Sequence, residues 1–174
     1  MVLSLQVKQH LPFTLQQNAK NKVERLHSLT VCSSPYKFTG VSTFLDSHKL
    51  VQEEGVESWV RKTADRRVDP LSNPGHHQWY IQQMSQTSQR VVLETLAYLA
   101  TQDLSDILPQ ITPPTMILVG ENSVGNTPER TQMMADLMPN ARLVEIPGAG
   151  GYVQHSAPEK CVAAWQNFIV SLGK

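Results

Sequence analysis

Short apolar runs rich in β-branched residues occur at three places along the chain. They cover residues 26–33 (LHSLTVCS), 115–119 (TMILV) and 142–146 (RLVEI), and turn-forming residues follow each run. Runs of this length and composition predict buried strands. A segment of helical spacing separates the second run from the third, which indicates parallel strands joined by crossover helices. We therefore expect an α/β fold in which about three parallel strands are flanked by helices.

Between the first two predicted strands the apolar spacing becomes helical, and no further strand pattern occurs. Gly55, a turn-rich DPLSNPG sequence and a polar link separate four segments of this spacing, which are 43–52, 56–67, 76–84 and 88–101. The pattern predicts a single α/β domain over residues 1–174 that carries a helical insertion at about 42–106.

The two ends of the chain are also predicted to be helical. Apolar residues in 1–11 fit a short amphipathic helix that Pro12 ends. Near the other end, Ser156 and Glu159 have the spacing of a capping box, which indicates the start of the closing helix. The predicted apolar face of that helix consists of Val162, Trp165, Phe168 and Ile169.

The stretch 114–159 holds the most informative motifs. GENS follows the strand predicted at 115–119, and GAGG follows the strand predicted at 142–146. With these motifs the stretch resembles the C-terminal end of α/β-hydrolases. The helical insertion, with GVESWVRKTADRR, QWYIQQM and LATQDLSDILPQITPPT, resembles the lid of the enol-lactonase-like branch. The resemblance implies a truncated α/β-hydrolase fold with a helical lid.

The resemblance also places the catalytic positions of the family. In α/β-hydrolases the first of these two turns carries the catalytic acid and the second carries the histidine, and this chain has Ser123 and Gly151 there. The nucleophile elbow, Gly-x-Ser-x-Gly, would fall at or before the first few residues, where Ser4 has no flanking glycine. A serine does not stabilise an imidazolium, and a glycine has no group that accepts a proton. We therefore expect a chain without a working triad.

Two nearby side chains are weak candidates to replace the missing groups. His155 is the nearest imidazole to Gly151 in the sequence, and Glu121 lies two residues before the acid position. For both residues a structural role is the stronger interpretation, because a relocated catalytic group also needs the right geometry. Ser123 is interpreted as a hydroxyl that stabilises its own turn.

Four aromatic residues are candidates for lining a binding pocket, namely Trp59, Trp79, Tyr80 and Tyr152. A pocket beneath a lid would take a small hydrophobic molecule. Aromatic residues at helical spacing nevertheless belong to the core more often than to a pocket. Three arginines of the insertion either bind a substrate carboxylate or lie on a solvated helix face, namely Arg61, Arg66 and Arg67.

Charge and composition narrow the range of partners. Lys+Arg and Asp+Glu both number 15, so the net charge is zero, and no basic stripe indicates nucleic acid or an anionic membrane. No apolar run reaches the roughly 18 residues of a membrane helix. The two cysteines and the His76-His77 pair lack metal-site spacing, so we expect neither a metal nor another cofactor. Free thiols favour a reducing, cytoplasmic setting.

Several functions are compatible with these observations. The leading interpretation is a triad-less α/β-hydrolase-like protein that binds a small hydrophobic molecule or a protein partner under its lid. The alternatives are a non-hydrolytic lyase, isomerase or cyclase, and a fragment or variant of a carboxylic-ester or enol-lactone hydrolase. Strand 26–33 lacks a predicted neighbour on one side. We therefore also expect a homodimer or a complementing chain at that exposed strand edge, unless residues 12–22 cover it.

Overall fold

The computed structural model describes residues 4–7, 26–40, 42–69 and 74–173. The chain forms two compact units. The sheet unit combines Met1–Tyr36 with Leu104–Lys174, and the helical unit consists of Lys37–Asp103.

Among the described residues, four parallel strands form the sheet of the sheet unit. They lie in the order β1 (Ser4–Val7), β2 (Ser28–Cys32), β3 (Thr115–Gly120) and β4 (Ala141–Ile146). In the central pairings, Leu29 lies opposite Thr115, and Thr115 lies opposite Ala141. The strands β2, β3 and β4 confirm the three strands predicted from the apolar runs.

The strand β1 shows that the helix expected over residues 1–11 is wrong. Its four residues pair in parallel with the first four residues of β2. The strand β2 therefore has a neighbour on each side, and it is not the sheet edge that we expected. The sequence from Leu3 to Val7 alternates apolar and polar residues, which is the period of a strand rather than of a helix. The remainder of the predicted helix, Pro12 and the segment 12–22 lie outside the described residues.

Three α-helices make up most of the described part of the helical unit. They are α1 (Ser42–Thr63), α2 (Pro74–Ser85) and α3 (Gln89–Ala100). The helix α1 is interrupted at Gly55 (φ 85°, ψ 174°), where the sequence predicts a break. The turn predicted at 69–75 lies partly outside the described residues.

The helical unit has an apolar core of its own. The buried residues of this core are Val51, Val56, Trp59, Val60, Val92 and Leu96. At the two ends of the unit, Lys37 and Asp103 form an antiparallel bridge, and Lys37 Nζ lies 2.8 Å from Asp103 Oδ2. The chain therefore enters and leaves the helical unit at adjacent positions.

The sheet unit has three further α-helices among its described residues, α4 (Pro128–Asp136), α5 (Val153–Ser156) and α6 (Pro158–Ser171). The Thr127 hydroxyl caps α4 by accepting a hydrogen bond from the Arg130 N–H at 3.4 Å. In the part of the chain that the structure describes, no helix combines the length and the apolar character that a membrane crossing requires.

The start of α6 differs from the prediction. The helix begins at Pro158, and the preceding Ala157 provides no side-chain cap, so the capping box predicted from Ser156 and Glu159 is wrong. Ser156 instead ends α5, where its hydroxyl donates to the Tyr152 carbonyl at 3.3 Å. A proline at the first helical turn starts α6 without needing that cap.

The buried side of α6 also differs from the predicted apolar face. Cys161 and Phe168 are buried, whereas Val162 and Trp165 remain 53% and 38% exposed. Two of the four residues of the predicted face therefore lie at the surface.

The side chains of the central strands alternate between the two faces of the sheet. On one face Leu29, Val31 and Ile117 pack with Met134 of α4 and Leu108. On the other face a second cluster contains Cys32, Met116, Leu118, Cys161 and Phe168. Both faces of the sheet are thus apolar, as in sheets that helices cover on two sides.

Candidate functional site

The carboxyl ends of β3 and β4 meet at a close contact of backbone atoms. A Cβ atom on Gly120 would overlap the carbonyl oxygens of Gly150 and Ala149. Beside this contact, the Asn122 N–H donates to the Ala149 carbonyl at 2.9 Å, and the Glu121 N–H donates to the Ile146 carbonyl at 3.2 Å. The turns after the two strands therefore form one hydrogen-bonded structure.

Ser123 lies inside this structure, at the position where the family resemblance places the catalytic acid. The residue is 5% exposed, and its N–H donates to the Gly120 carbonyl at 3.0 Å. A buried neutral hydroxyl at this position supplies no negative charge to a neighbouring imidazole.

The Glu121 carboxylate is engaged in holding the two turns together. Its Oε2 atom accepts a hydrogen bond from the Gly148 N–H at 2.7 Å. This contact is of the kind expected from the structural role that the sequence favoured for Glu121.

Gly151, where the resemblance places the histidine of α/β-hydrolases, is followed by a short helical turn that brings two sequence-predicted residues together. The rings of Tyr152 and His155 lie 5.9 Å apart with an angle of 37° between their planes. The His155 N–H also donates to the Tyr152 carbonyl at 2.8 Å. His155 is thus packed beside an aromatic ring near the carboxyl end of β4.

Ser33 is a further residue of this edge, and the sequence reasoning missed it. It directly follows β2, has a positive φ of 49° and donates its N–H to the Leu118 carbonyl at 2.9 Å. Its hydroxyl accepts a hydrogen bond from the Val153 N–H at 3.1 Å, which links the end of β2 to the start of α5. Positive φ is uncommon for residues other than glycine. The Ser34-Pro35 turn signal beside it was visible in the sequence, but the partner 120 residues away was not.

A cleft of about 400 Å³ lies within the sheet unit. The strands contribute Thr30, Cys32 and Leu118 to its lining. The helical side of the cleft is formed by Gln154, Pro158, Cys161, Val162 and Trp165. None of these eight lining residues carries a formal charge. None of these residues was a site candidate in the sequence, because their proximity depends on how α6 packs on the sheet.

Two of the residues that line the cleft carry three buried polar atoms without a hydrogen-bond partner among the described residues. They are the Thr30 hydroxyl oxygen and both the amide nitrogen and the amide oxygen of Gln154. Native proteins pair most of their buried polar groups, so an unpaired set of this kind indicates a place where a ligand or water binds.

Both cysteines of the chain lie at this cleft, and neither is in a disulfide. Burial, and to a smaller extent the neighbouring Cys32 thiol, raises the pKa of Cys161 from 9.0 to about 11. The Cys161 thiol therefore stays protonated at neutral pH and adds no charge to the lining.

In the helical unit, the candidate pocket residue Trp59 belongs to the core. It is 5% exposed, and the Arg67 guanidinium carbon lies 5.0 Å from the centroid of its ring. Arg67 also donates to the Thr63 carbonyl at 3.0 Å. These contacts give Trp59 and Arg67 structural roles within this unit.

The other candidates of the helical unit lie nearer to its surface. Trp79 is 54% exposed and its ring lies 5.7 Å from the ring of His76, whereas Tyr80 packs partly buried against the helical core. Arg61 forms an ion pair with Glu57 at 2.8 Å.

His77 Nε2 lies 2.8 Å from an oxygen of Asp65. Over the described ranges, no three His, Cys, Asp or Glu side chains group as a metal site would require.

No protein-family model matches the sequence. The structure, however, is similar to solved structures of hydrolases. A thermophilic esterase from Thermogutta terrifontis superposes with a TM-score of 0.81 at 20% identity, and the match covers 99% of this chain and 66% of the esterase. For the enol-lactonase from Burkholderia xenovorans LB400 the TM-score is 0.76 at 15% identity, with 91% and 60% covered. For MGS-M2, an α/β-hydrolase enzyme from a Medee basin deep-sea metagenome library, it is 0.79 at 19% identity, with 97% and 65% covered.

These likenesses identify the fold of the chain. The protein is built on the α/β-hydrolase fold, as the motifs between residues 114 and 159 predicted. The chain spans 60–66% of the length of these three neighbours, and its described sheet is an open, four-stranded portion of such a fold.

Proposed function

We propose that this chain does not hydrolyse esters through a Ser–His–acid triad and that it binds a small hydrophobic molecule instead. The observation that carries the proposal is the pair Ser123 and Gly151, at the two turns where the resemblance places the acid and the histidine. A triad needs an imidazole to take the proton of the nucleophile and a carboxylate to stabilise the imidazolium that forms. Neither residue supplies such a group.

The surrounding contacts support the same proposal. The nearest carboxylate in sequence, that of Glu121, accepts a backbone hydrogen bond from Gly148. The nearest imidazole in sequence, that of His155, packs against the ring of Tyr152. Both groups have structural contacts that account for their presence at this edge of the sheet.

The character of the cleft supports binding of an uncharged small molecule. It is lined by uncharged residues, and its volume of about 400 Å³ lies in the range of ordinary ligand sites. The alternative is that a protein partner, rather than a small molecule, binds this apolar surface. This alternative predicts association between protein chains and no binding of small molecules.

Ester hydrolysis by the purified chain tests the proposal. We expect the chain to release para-nitrophenol from para-nitrophenyl butyrate no faster than buffer alone, because loss of a triad member lowers turnover by roughly 10⁴-fold or more. A Ser123→Ala variant is the matched control and should behave identically. Saturable hydrolysis by the wild-type chain that Ser123→Ala abolishes would contradict the proposal.

A second candidate function is that of a fragment or variant of a carboxylic-ester or enol-lactone hydrolase. It is favoured by the esterase and enol-lactonase neighbours, of whose lengths this chain spans 66% and 60%. On this alternative, a chain carrying Ser123→Asp and Gly151→His hydrolyses the ester once an N-terminal hydrolase half is supplied. Continued inactivity of that assembled and folded protein would count against the fragment.

A further inference from the structure

Thr30 and Gln154 line the cleft of the sheet unit and carry buried polar atoms that the described part of the fold leaves unpaired. Thr30 is only 3% exposed, and its hydroxyl oxygen has no hydrogen-bond partner among the described residues. The same holds for both polar atoms of the Gln154 amide. An unpaired buried group of this kind destabilises a folded protein, because it gives up its hydrogen bonds to water without replacing them. A bound molecule that pairs with them would remove this penalty.

The size of the cleft indicates a ligand larger than a bridging water. A water molecule occupies about 30 Å³ in the liquid, whereas the cleft has a volume of about 400 Å³. Its walls are also partly apolar, with Leu118, Val162 and Trp165 among the lining residues. An organic molecule covers such walls better than water does, because burying apolar surface is favourable.

The chemistry of the lining selects the polar group of that ligand. A glutamine amide offers donors on its nitrogen and an acceptor on its oxygen. Another amide, or a lactam, presents the complementary acceptor and donor side by side and so pairs with both atoms of Gln154 at once. An ester offers only acceptors. A carboxylate would bring a charge into a cleft without a cationic lining residue, and burying an unpaired charge is strongly unfavourable.

We propose that this cleft binds a neutral, mainly apolar molecule through an amide or lactam group that pairs with Gln154 and Thr30. This proposal rests on the proposed function, for which it specifies the binding site and the class of ligand. The exposed faces of Val162 and Trp165 border the apolar part of the ligand and become covered when it binds.

Nuclear magnetic resonance of the isotope-labelled chain tests the proposal through the Trp165 indole. The three tryptophans are Trp59, Trp79 and Trp165, and only the last lies in the sheet unit, so the other two indole signals serve as internal references. A Trp165→Phe variant assigns the signal. The probes are para-butylbenzamide and two matched molecules, para-butylbenzoate and methyl para-butylbenzoate.

We expect the benzamide to shift the Trp165 indole signal saturably. It should bind about tenfold more tightly than the ester, which is the difference that one hydrogen bond in a buried site makes. The benzoate should bind more weakly than the ester. The absence of a saturable shift at Trp165, or shifts confined to the Trp59 and Trp79 signals, would overturn the proposal.

Substitution of Gln154 provides the second arm of the test. Gln154→Leu should weaken benzamide binding about tenfold while leaving ester binding unchanged. Gln166→Leu, a change of the same type at an exposed position of α6, should alter neither. Thr30→Val, which keeps the side-chain shape, provides an independent variant that should also weaken benzamide binding, so the test holds if Gln154→Leu fails to fold. Equal benzamide affinity in the wild type and in the folded variants would overturn the proposal.

The ester probe separates the two proposals. Methanol released from methyl para-butylbenzoate by the wild-type chain would contradict the proposed function and leave the amide site standing. An intact ester together with unbound benzamide would contradict the amide site alone.

Discussion

Gly120 is the residue whose missing side chain permits the contact between the turns after β3 and β4. The clash that a methyl group would create is with the backbone of Ala149 and Gly150, and backbone cannot move aside as the end of a flexible side chain can. The requirement is steric: a side chain at position 120 has no room, while the φ angle of Gly120 is not one that only glycine adopts.

Substituting alanine for Gly120 should therefore destabilise the chain. We expect a loss of about 2–3 kcal/mol in the free energy of unfolding, the upper range for an overpacked interior, measured by urea denaturation with circular dichroism. Gly125→Ala is the matched control, since a Cβ there has no atom within 4 Å, and it should change stability by less than about 0.5 kcal/mol. Equal stability of the two variants would show that the edge can open without cost.

Because the pKa of the Cys161 thiol is raised in the folded chain, we expect the chain to lose stability at alkaline pH. Burial first, and then Cys32, raises the pKa of Cys161 from 9.0 to about 11. As the pH rises through 9.0 the unfolded chain releases this proton before the folded chain does, so the folded chain holds more protons and the free energy of unfolding falls until about pH 11.

Comparison with Cys161→Ala isolates this effect from the titration of other groups. The difference in the free energy of unfolding between the wild type and Cys161→Ala should be constant below pH 9.0. Between pH 9.0 and about pH 11 the wild type should lose stability relative to the variant. A Cys32→Ala variant should retain most of the effect, because Cys32 is the smaller cause. Parallel pH profiles of wild type and Cys161→Ala would contradict the assignment.

At the scale of elements, the helix α1 is interrupted at Gly55, and the interruption requires a glycine. Gly55 adopts φ 85° and ψ 174°, a backbone region that is essentially restricted to glycine. A Cβ at this position would have no atom within 4 Å, so the constraint is one of backbone conformation rather than of space.

Gly55→Ala should consequently destabilise the chain by about 1–3 kcal/mol. Urea denaturation of the full chain measures the change, and Gly125→Ala again provides the comparison. A variant that is more stable than the wild type, with increased helical signal, would mean that α1 can run continuously through this position.

Two elements show where sequence patterns and packing diverge. The alternation from Leu3 to Val7 was available in the sequence, but a short run of apolar residues satisfies both helical and strand spacing, and pairing with β2 decides between them. In α6, the spacing of Val162 and Trp165 fits a buried face, yet both are substantially exposed. Helical spacing shows which residues share a side of a helix, while the neighbouring elements determine which side is buried.

At the scale of the whole molecule, the edges of the described sheet are β1 and β4, whereas the sequence predicted an exposed edge at the strand that became β2. The described sheet pairs β1 on one side only, with β2. An unpaired edge offers backbone hydrogen-bonding groups to another chain, so we propose that a homodimer contact or a complementing chain would lie at β1.

Sedimentation equilibrium of the purified chain tests this association. We expect a concentration-dependent dimer that Gln6→Lys weakens, since charge on an edge strand opposes pairing between chains. Gln166→Lys, at an exposed position of α6, is the matched control and should leave the dimer unchanged. A monomer over the whole concentration range would contradict the homodimer.

The sequence by itself determined the three strands β2 to β4, the break at Gly55 and the α/β-hydrolase character of residues 114–159. These features depend on local composition, turn chemistry and short motifs, which can be read without knowing the neighbours of a residue in space. Through their resemblance to α/β-hydrolases, the same motifs also predict that Ser123 and Gly151 stand at the positions of the catalytic acid and the histidine.

Only the tertiary structure decided that Ser33 binds the start of α5, that Gly120 meets the turn after β4, and that Thr30 and Gln154 share an uncharged cleft. Each of these relations joins residues that are far apart in the chain. These contacts arise because helices pack on a parallel sheet and bring distant side chains together. Which side chains meet depends on strand register and helix orientation. A local pattern of apolar and polar residues does not encode register or orientation.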